Sequence, residues 1–230
     1  MADIKDLQIK LGFPFKNIDL LQQALVHRSY INEHPDFKFD HNERLEFLGD
    51  AVLELVVTEY LYKNHDNPEG ELTNWRAALV NTKMLSQKSA ELGVNDYLFL
   101  SKGESKDNGR AREMILANTF EAIIGAYYLD QGYVVAEKFI TNTVLAELPN
   151  VLANELYRDP KSNLQEIIQE SVGVTPHYKV LEEEGPDHDK KFLVGVFVDK
   201  KEIGRGEGSN KQEAQIEAAK QALEEEKWLK

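Results

Sequence analysis

The chain contains no cysteine, which excludes disulfides and zinc–thiolate sites and fits a reducing compartment. It also lacks any run of about 18 apolar residues, the length a membrane-spanning helix needs. The opening MADIKDLQIK carries no apolar core of a secretory signal, and the sequence holds no internal repeat or low-complexity tract. These absences lead to the expectation of a soluble, cytoplasmic protein with no membrane partner. Positive charge is the other scarcity, with 27 Lys and Arg against 40 Asp and Glu and a net charge of −13. Of these, residues 159–230 hold 11 against 16, so the deficit extends to the C-terminal part. Such a balance repels phosphate backbones unless the cations are gathered on one face. The 230 residues, 42% hydrophobic and 9% aromatic, suffice for one large or two modest domains with cores of their own.

The most informative stretch is HNERLEFLGDAVLELVVTEYLYKN, His41 to Asn64. At about 100° per residue, Glu43, Glu46, Asp50 and Glu54 fall on one strip of a helix. Leu45, Leu48, Val52, Leu55 and Val56 lie opposite, and Leu53 and Val57 flank the strip, so the pattern predicts a helix that is buried nearly all round. Acids three and four residues apart repel one another, and more so once desolvated. Either Arg and Lys partners or a hard divalent cation would neutralise them, since Mg²⁺ and Mn²⁺ favour carboxylate oxygens. Gly49 costs this helix about 1 kcal/mol of propensity, which points to close approach of a neighbouring backbone or ligand.

Around this helix, residues 1–150 read as all-helical. Ile4 to Leu11 forms a first turn or two, ended by Gly12 and Pro14. A second helix carries Leu20, Leu21, Ala24 and Leu25 and ends near His27–Tyr30, with His27 read as a hydrogen-bonded structural residue. Thr73 is expected to cap a long helix reaching Leu92, with Trp75, Ala78, Leu79, Met84 and Leu85 inward. A polar loop, Ser101 to Arg110, precedes a helix from Ala111 or Arg112 to Leu129, and Val134 to Leu148 forms the last. Lys102, Arg110 and Arg112 are either phosphate contacts or solvated charges. In the helix ending at Leu129, Asn118 and Glu121 share a face with Gly125 amid apolar neighbours. If it packs on the signature helix, Glu46, Asp50, Asn118 and Glu121 converge as an oxygen-rich cluster suited to Mg²⁺.

The pattern changes near Arg158–Pro160. Ser162 to Val172 is amphipathic. Strand-like runs follow at His177–Leu181, Phe192–Val198 and Glu202–Glu207, and a final helix runs from Lys211 to Trp228 with Ala214, Ala218 and Ala219 on a narrow face. The α-β-β-β-α order is the layout of a double-stranded-RNA-binding domain.

ERLEFLGDAVL closely resembles the signature of ribonuclease III, the endonucleases that cut double-stranded RNA. The resemblance extends to LGFPFKNIDLLQQALVHRSY (Leu11 to Tyr30), to ILANTFEAIIGAYYLDQG (Ile115 to Gly132) and into the C-terminal segment. It implies a multidomain α and α+β protein: an all-helical catalytic domain over 1–150, a linker over 151–158 and a double-stranded-RNA-binding domain over 159–230. It further implies a Mg²⁺ site, with Mn²⁺ as an alternative, built from Glu46, Asp50, Asn118 and Glu121. Asp50 and Glu121 occupy the positions held catalytically essential, and no small-molecule cofactor is involved. Hydrolysis would leave 5′-phosphate and 3′-hydroxyl ends, on substrates such as ribosomal-RNA precursors and structured messages.

By the same resemblance Phe47 inserts into a socket on a partner subunit, making a homodimer. Gln165 and His188 reach minor-groove 2′-hydroxyls, and Lys211 holds a phosphate at a helix N-terminus. The loops concerned are GPDHDKKF and GEGSNKQEA. Three positions depart from the family's pattern. Asn118 stands where Asp is usual and removes one ligand charge; Gln212 replaces a second lysine, and Asn210 a common serine. An RNA-binding protein with weak or no cleavage, owing to Asn118, is the alternative reading. A helical phosphohydrolase acting on nucleotides is a third, but it leaves the C-terminal domain unexplained.

Overall fold

The computed structural model describes residues 3–106, 109–186 and 190–225. The chain divides into two compact units, one ending at Tyr157 and the next starting at Arg158.

The first unit is helical throughout: α1 (Ile4–Leu11), α2 (Ile18–Ala24), α3 (Arg28–Glu33), α4 (Glu43–Asn64), α5 (Glu69–Val80), α6 (Thr82–Glu91), α7 (Arg110–Gln131), α8 (Tyr133–Thr143) and α9 (Leu148–Ala153). Local chemistry sets several boundaries. Asp3, Asn17 and His27 cap α1, α2 and α3 through their side chains, and Gly12 ends α1 in the left-handed region. His27 is thus the structural residue expected. Its ring nitrogen accepts from Ser29 N at 3.3 Å and also meets Ser29 Oγ at 2.8 Å.

The single long helix expected after Thr73 is instead two. Asn81 breaks it, with ψ of 159°, and caps α6 by accepting from Met84 N at 2.9 Å. Its amide also donates back to Ala78 O at 2.9 Å, so one side chain satisfies the end of α5 and the start of α6. Thr73 lies inside α5 and donates to Glu69 Oε1 at 3.0 Å. Pro149, expected near the end of the last helix, sits in the first turn of α9, where a missing N–H costs nothing.

Helices α4 and α7, of 22 residues each, form the centre. From Ile115 to Tyr127 nearly every residue of α7 is buried, and α2, α6 and α8 pack around it. The two central helices cross at glycines. A Cβ on Gly49 would lie 1.7 Å from the Glu121 carbonyl oxygen, and one on Gly125 would lie 2.2 Å from that of Leu45. The backbones are therefore in direct contact, which any side chain at either position would forbid.

One expectation about α4 is corrected. The helix is not buried all round, because Phe47 and Tyr62 are 81% and 80% exposed and Leu55 is 56% exposed. These positions lie two turns apart and share one stripe, which no other element among the described residues of the unit covers.

The second unit comprises α10 (Pro160–Val172), three strands β1 (His177–Glu184), β2 (Lys191–Val198) and β3 (Lys201–Gly208), and α11 (Lys211–Glu225). The strands form one antiparallel sheet in the order β1-β2-β3, with Val180 opposite Val194 and Val196 opposite Gly204. Val194, Val196 and Ile203 face inward, as do Leu164 and Ile168 of α10 and Ala214, Ala218 and Ala219 of α11. The narrow alanine face lets α11 lie directly on β3, whose Gly206 would otherwise push a Cβ to 2.2 Å from Ala218 N. The α-β-β-β-α order read from the sequence is the one observed.

Replacing Gly49 with Ala forces the α4 and α7 backbones apart. We expect Gly49→Ala to destabilise the first unit by about 3 kcal/mol, the upper range for overpacking a core. The midpoint of urea unfolding measures it, and an unchanged midpoint would mean that the crossing tolerates a methyl group.

Candidate functional site

The glycine contact decides where the polar side chains go. With Gly49 seated on the Glu121 carbonyl, the α4 acids one turn before and one residue after it lie against the α7 face that carries Asn118 and Glu121. Glu46 and Glu121 register these neighbours in their own acidities. The Glu121 carboxyl is pushed up to about 7, first by burial and then by the charges of Asp50, Glu46 and Glu54. Glu46 is also raised, by burial, by Glu43 and by Asp50, while a hydrogen bond from the Asn118 side chain pulls it the other way. Asp50 is exposed, and Glu46, Asn118 and Glu121 are partly buried. The four residues expected to converge are thus brought together.

The acidic strip is treated differently at its ends and its middle. Glu43 is paired with Arg28 of α3, Nε to Oε1 at 3.1 Å, and has His41 at 3.7 Å. Glu54 is paired with Arg76 of α5, Nε to Oε2 at 3.0 Å. Among the described residues no Lys, Arg or His forms an ion pair with Glu46, Asp50 or Glu121. The reading of basic partners therefore holds at the two ends of the strip. Arginines answer the outer acids, and the inner ones are left repelling one another. Sequence reasoning did not find Arg28 or Arg76; they lie 15 residues before and 22 after the acids they meet, with no periodic relation to signal the pairing.

Among the described residues no three His, Cys, Asp or Glu side chains are arranged as they stand to hold a metal ion. The donor set nevertheless fits a hard cation. It consists of carboxylate oxygens plus one amide oxygen, and its carboxylates suffer a mutual repulsion that a divalent charge would relieve.

Phe47 projects from α4 at 81% exposure, so it fills no core within its own unit. Arg112 donates to Glu104 O at 2.8 Å, which ties the loop before α7 to the start of that helix. In the second unit Gln165 is exposed on α10. Lys211 is the first residue of α11, with its ammonium 5.7 Å from the Phe192 ring centre. Lys161, one turn before Gln165, donates to Gln215, one turn after Lys211, at 2.7 Å, so the two candidate residues lie on adjoining helices. His188 lies outside the described residues. Other cations of this unit are tied to acids: Lys190 to Glu183 at 2.9 Å, Lys220 to Glu217 at 2.6 Å, and Arg205 to Glu202. No helix among the described residues is long and apolar enough to cross a membrane.

Because its pKa is raised, Glu121 keeps its proton in the folded protein over a pH range in which the unfolded chain has lost it. In metal-free buffer its contribution to stability therefore falls as pH rises from about 4.5 to about 7, and the penalty is fully present above that. We expect the melting temperature in EDTA to rise on going from pH 8 to pH 5.5, and Glu121→Gln to flatten that rise. An equal slope in both proteins would place the titration elsewhere.

Comparison with known proteins places this geometry. Residues 17–148 match a family model described as ribonuclease-III-like, and residues 160–226 match one described as a double-stranded RNA binding motif. A ribonuclease 3 from Desulforamulus reducens is 45% identical over 95% of this chain and 89% of its own length. One from Latilactobacillus sakei is 44% identical over 97% of both chains. Among solved structures, the nuclease domain of ribonuclease III from Campylobacter jejuni is 39% identical with a TM-score of 0.57, covering 65% of this chain and 98% of that one. A second structure of that domain is described for structural flexibility in its region involved in dimer formation.

Proposed function

This chain belongs to the ribonuclease III family of double-stranded-RNA endoribonucleases, and from that premise we propose that Glu46, Asp50, Asn118 and Glu121 form its metal-dependent catalytic centre, with Mg²⁺ as the ion and Mn²⁺ as a substitute. The observation that carries this reading is the Gly49–Glu121 contact. It sets a pair of acids on α4 against an acid and an amide on α7, with no basic side chain among the described residues to neutralise them.

A bound divalent ion supplies the activation of water and the stabilisation of charge on the leaving oxygen. The chain's own residues prepare for it. Glu46 and Glu121 would supply oxygens from either side of the helix crossing, and Asp50, the most exposed of the set, is open to an incoming phosphate. Glu121, poised near neutrality, exchanges its proton for a cation at little cost. Asn118 offers a neutral oxygen and cannot act as a base; Asp50 and Glu121 are taken as the catalytic carboxylates because they stand at the positions that the family resemblance marks as essential. Products carry 5′-phosphate and 3′-hydroxyl ends.

Duplex binding belongs to residues 159–230, where Gln165 and, in the β1–β2 connection, His188 would meet minor-groove hydroxyls and Lys211 a phosphate. With only one lysine at the head of α11, this grip is modest and its salt dependence shallow. The exposed stripe of Phe47, Leu55 and Tyr62 supports a homodimer, in which that apolar face of α4 meets its symmetry mate and Phe47 enters the partner. The dimer-forming region described for the Campylobacter jejuni domain favours the same assembly. Ribosomal-RNA precursors and structured messages are the proposed cytoplasmic substrates.

A labelled RNA duplex tests the assignment. Cleavage should require Mg²⁺ and stop with EDTA. Glu121→Gln should reduce cleavage by at least about 10²-fold, the scale of losing a charge-stabilising group, while duplex affinity stays within twofold. Parallel loss of binding and cleavage would contradict this division of labour, and binding without any metal-dependent product would favour a pure binding module.

A further inference from the structure

The acidic strip on α4 holds four carboxylates, yet only its inner two are available to a cation. Glu54 is the acid whose exclusion needs explaining. Its charge reaches Glu121 strongly enough to help push that carboxyl upward, so it lies at the edge of the cluster and has the right chemistry to join it. What holds it away is Arg76. The guanidinium meets Glu54 Oε2 through Nε at 3.0 Å, and its Nη1 donates to Thr58 Oγ1 at 3.0 Å. Thr58 is one turn beyond Glu54 on the same helix, so the planar fork of Arg76 is clamped along α4 at two points, a geometry that a lysine ammonium matches less well. Arg28 does the same for Glu43 at the other end of the strip, at 3.1 Å.

We propose that Arg76 is a positioning residue that sets the extent of the metal site, by keeping the Glu54 carboxylate out of the coordination sphere shared by Glu46, Asp50 and Glu121. It is the protein's own fixed cation at that edge, and it caps the negative charge that a soluble divalent ion sees. Without it, Glu54 would turn toward Glu121 and the site would carry one more formal negative charge. The cation would then be held more tightly. A site that releases its ion and product readily needs the opposite. This inference rests on the metal-centre reading above and goes beyond it, in assigning a role to a residue outside the donor set.

Mn²⁺ binding to the full chain, followed by the loss of its free electron-paramagnetic-resonance signal in the absence of RNA, gives a readout independent of activity. Arg76→Gln should tighten binding about tenfold, as expected when one more carboxylate charge becomes available to a divalent ion. Arg76→Lys, which keeps the charge but loses the fork, should tighten binding by less than Arg76→Gln, and Arg76→Gln combined with Glu54→Gln should return to the wild-type affinity. A melting curve in EDTA accompanies each variant, and only folded proteins are compared. If Arg76→Gln does not fold, Thr58→Val, which removes one of the two clamps, should tighten binding in the same direction. Unchanged affinity in Arg76→Gln, or tighter binding that survives the added Glu54→Gln, overturns the proposal while leaving the metal centre intact. Mn²⁺ binding that is indifferent to Glu121→Gln overturns the metal centre and this proposal together.

Discussion

Two helix backbones touch where a side chain is missing from each, and the rest of the first unit follows from that contact. Gly49 on α4 lies on the Glu121 carbonyl, and Gly125 on α7 lies on the Leu45 carbonyl. At an ordinary interhelical distance of 8–10 Å, acids on the two helices would be separated by a layer of side chains. At this crossing they face each other across almost nothing. The glycines cost helix propensity, and the burial of α7 from Ile115 to Tyr127 offsets that cost many times over, at roughly 1.5–3 kcal/mol for each large apolar side chain.

The same contact creates an electrostatic problem that the protein solves in two ways. At the ends of the strip, arginines from α3 and α5 neutralise Glu43 and Glu54. In the middle, Glu46, Asp50 and Glu121 have no basic partner among the described residues, and Glu121 keeps its proton to about neutral pH. A cluster that is destabilising on its own and relieved by a cation couples ion binding to local stability. Asn118 softens the cluster by one charge relative to the aspartate usual at that position, and its side chain hydrogen-bonds to Glu46. Part of the net charge of −13 is thus concentrated at the proposed metal centre.

Much of this was legible in the sequence. Periodicity placed α4 and α7, and Gly49 signalled close approach before any neighbour was known. The order of helix and strands in residues 159–230 was correct, because alternating Phe192, Val194, Val196 and Val198 can only read as a strand. Two things were not legible. The division of the expected long helix at Asn81 depends on one side chain serving two helix ends, and nothing in the apolar pattern across Ala78, Leu79 and Leu85 interrupts to announce it. The exposure of Leu55 and Tyr62 reverses a reading based on apolarity alone, since a face destined for a partner has the same composition as a face destined for the core. Likewise the pairing of Arg76 with Glu54 is purely tertiary, set by how α5 packs on α4.

The most direct test is crystallographic. Crystals of the full chain grown with Mn²⁺ should show an anomalous-scattering peak within about 2.5 Å of carboxylate oxygens from both sides of the helix crossing, Glu46 or Asp50 on α4 and Glu121 on α7. A peak on one helix alone, at the Glu54–Arg76 pair, or nowhere in the unit at saturating Mn²⁺ would contradict the account.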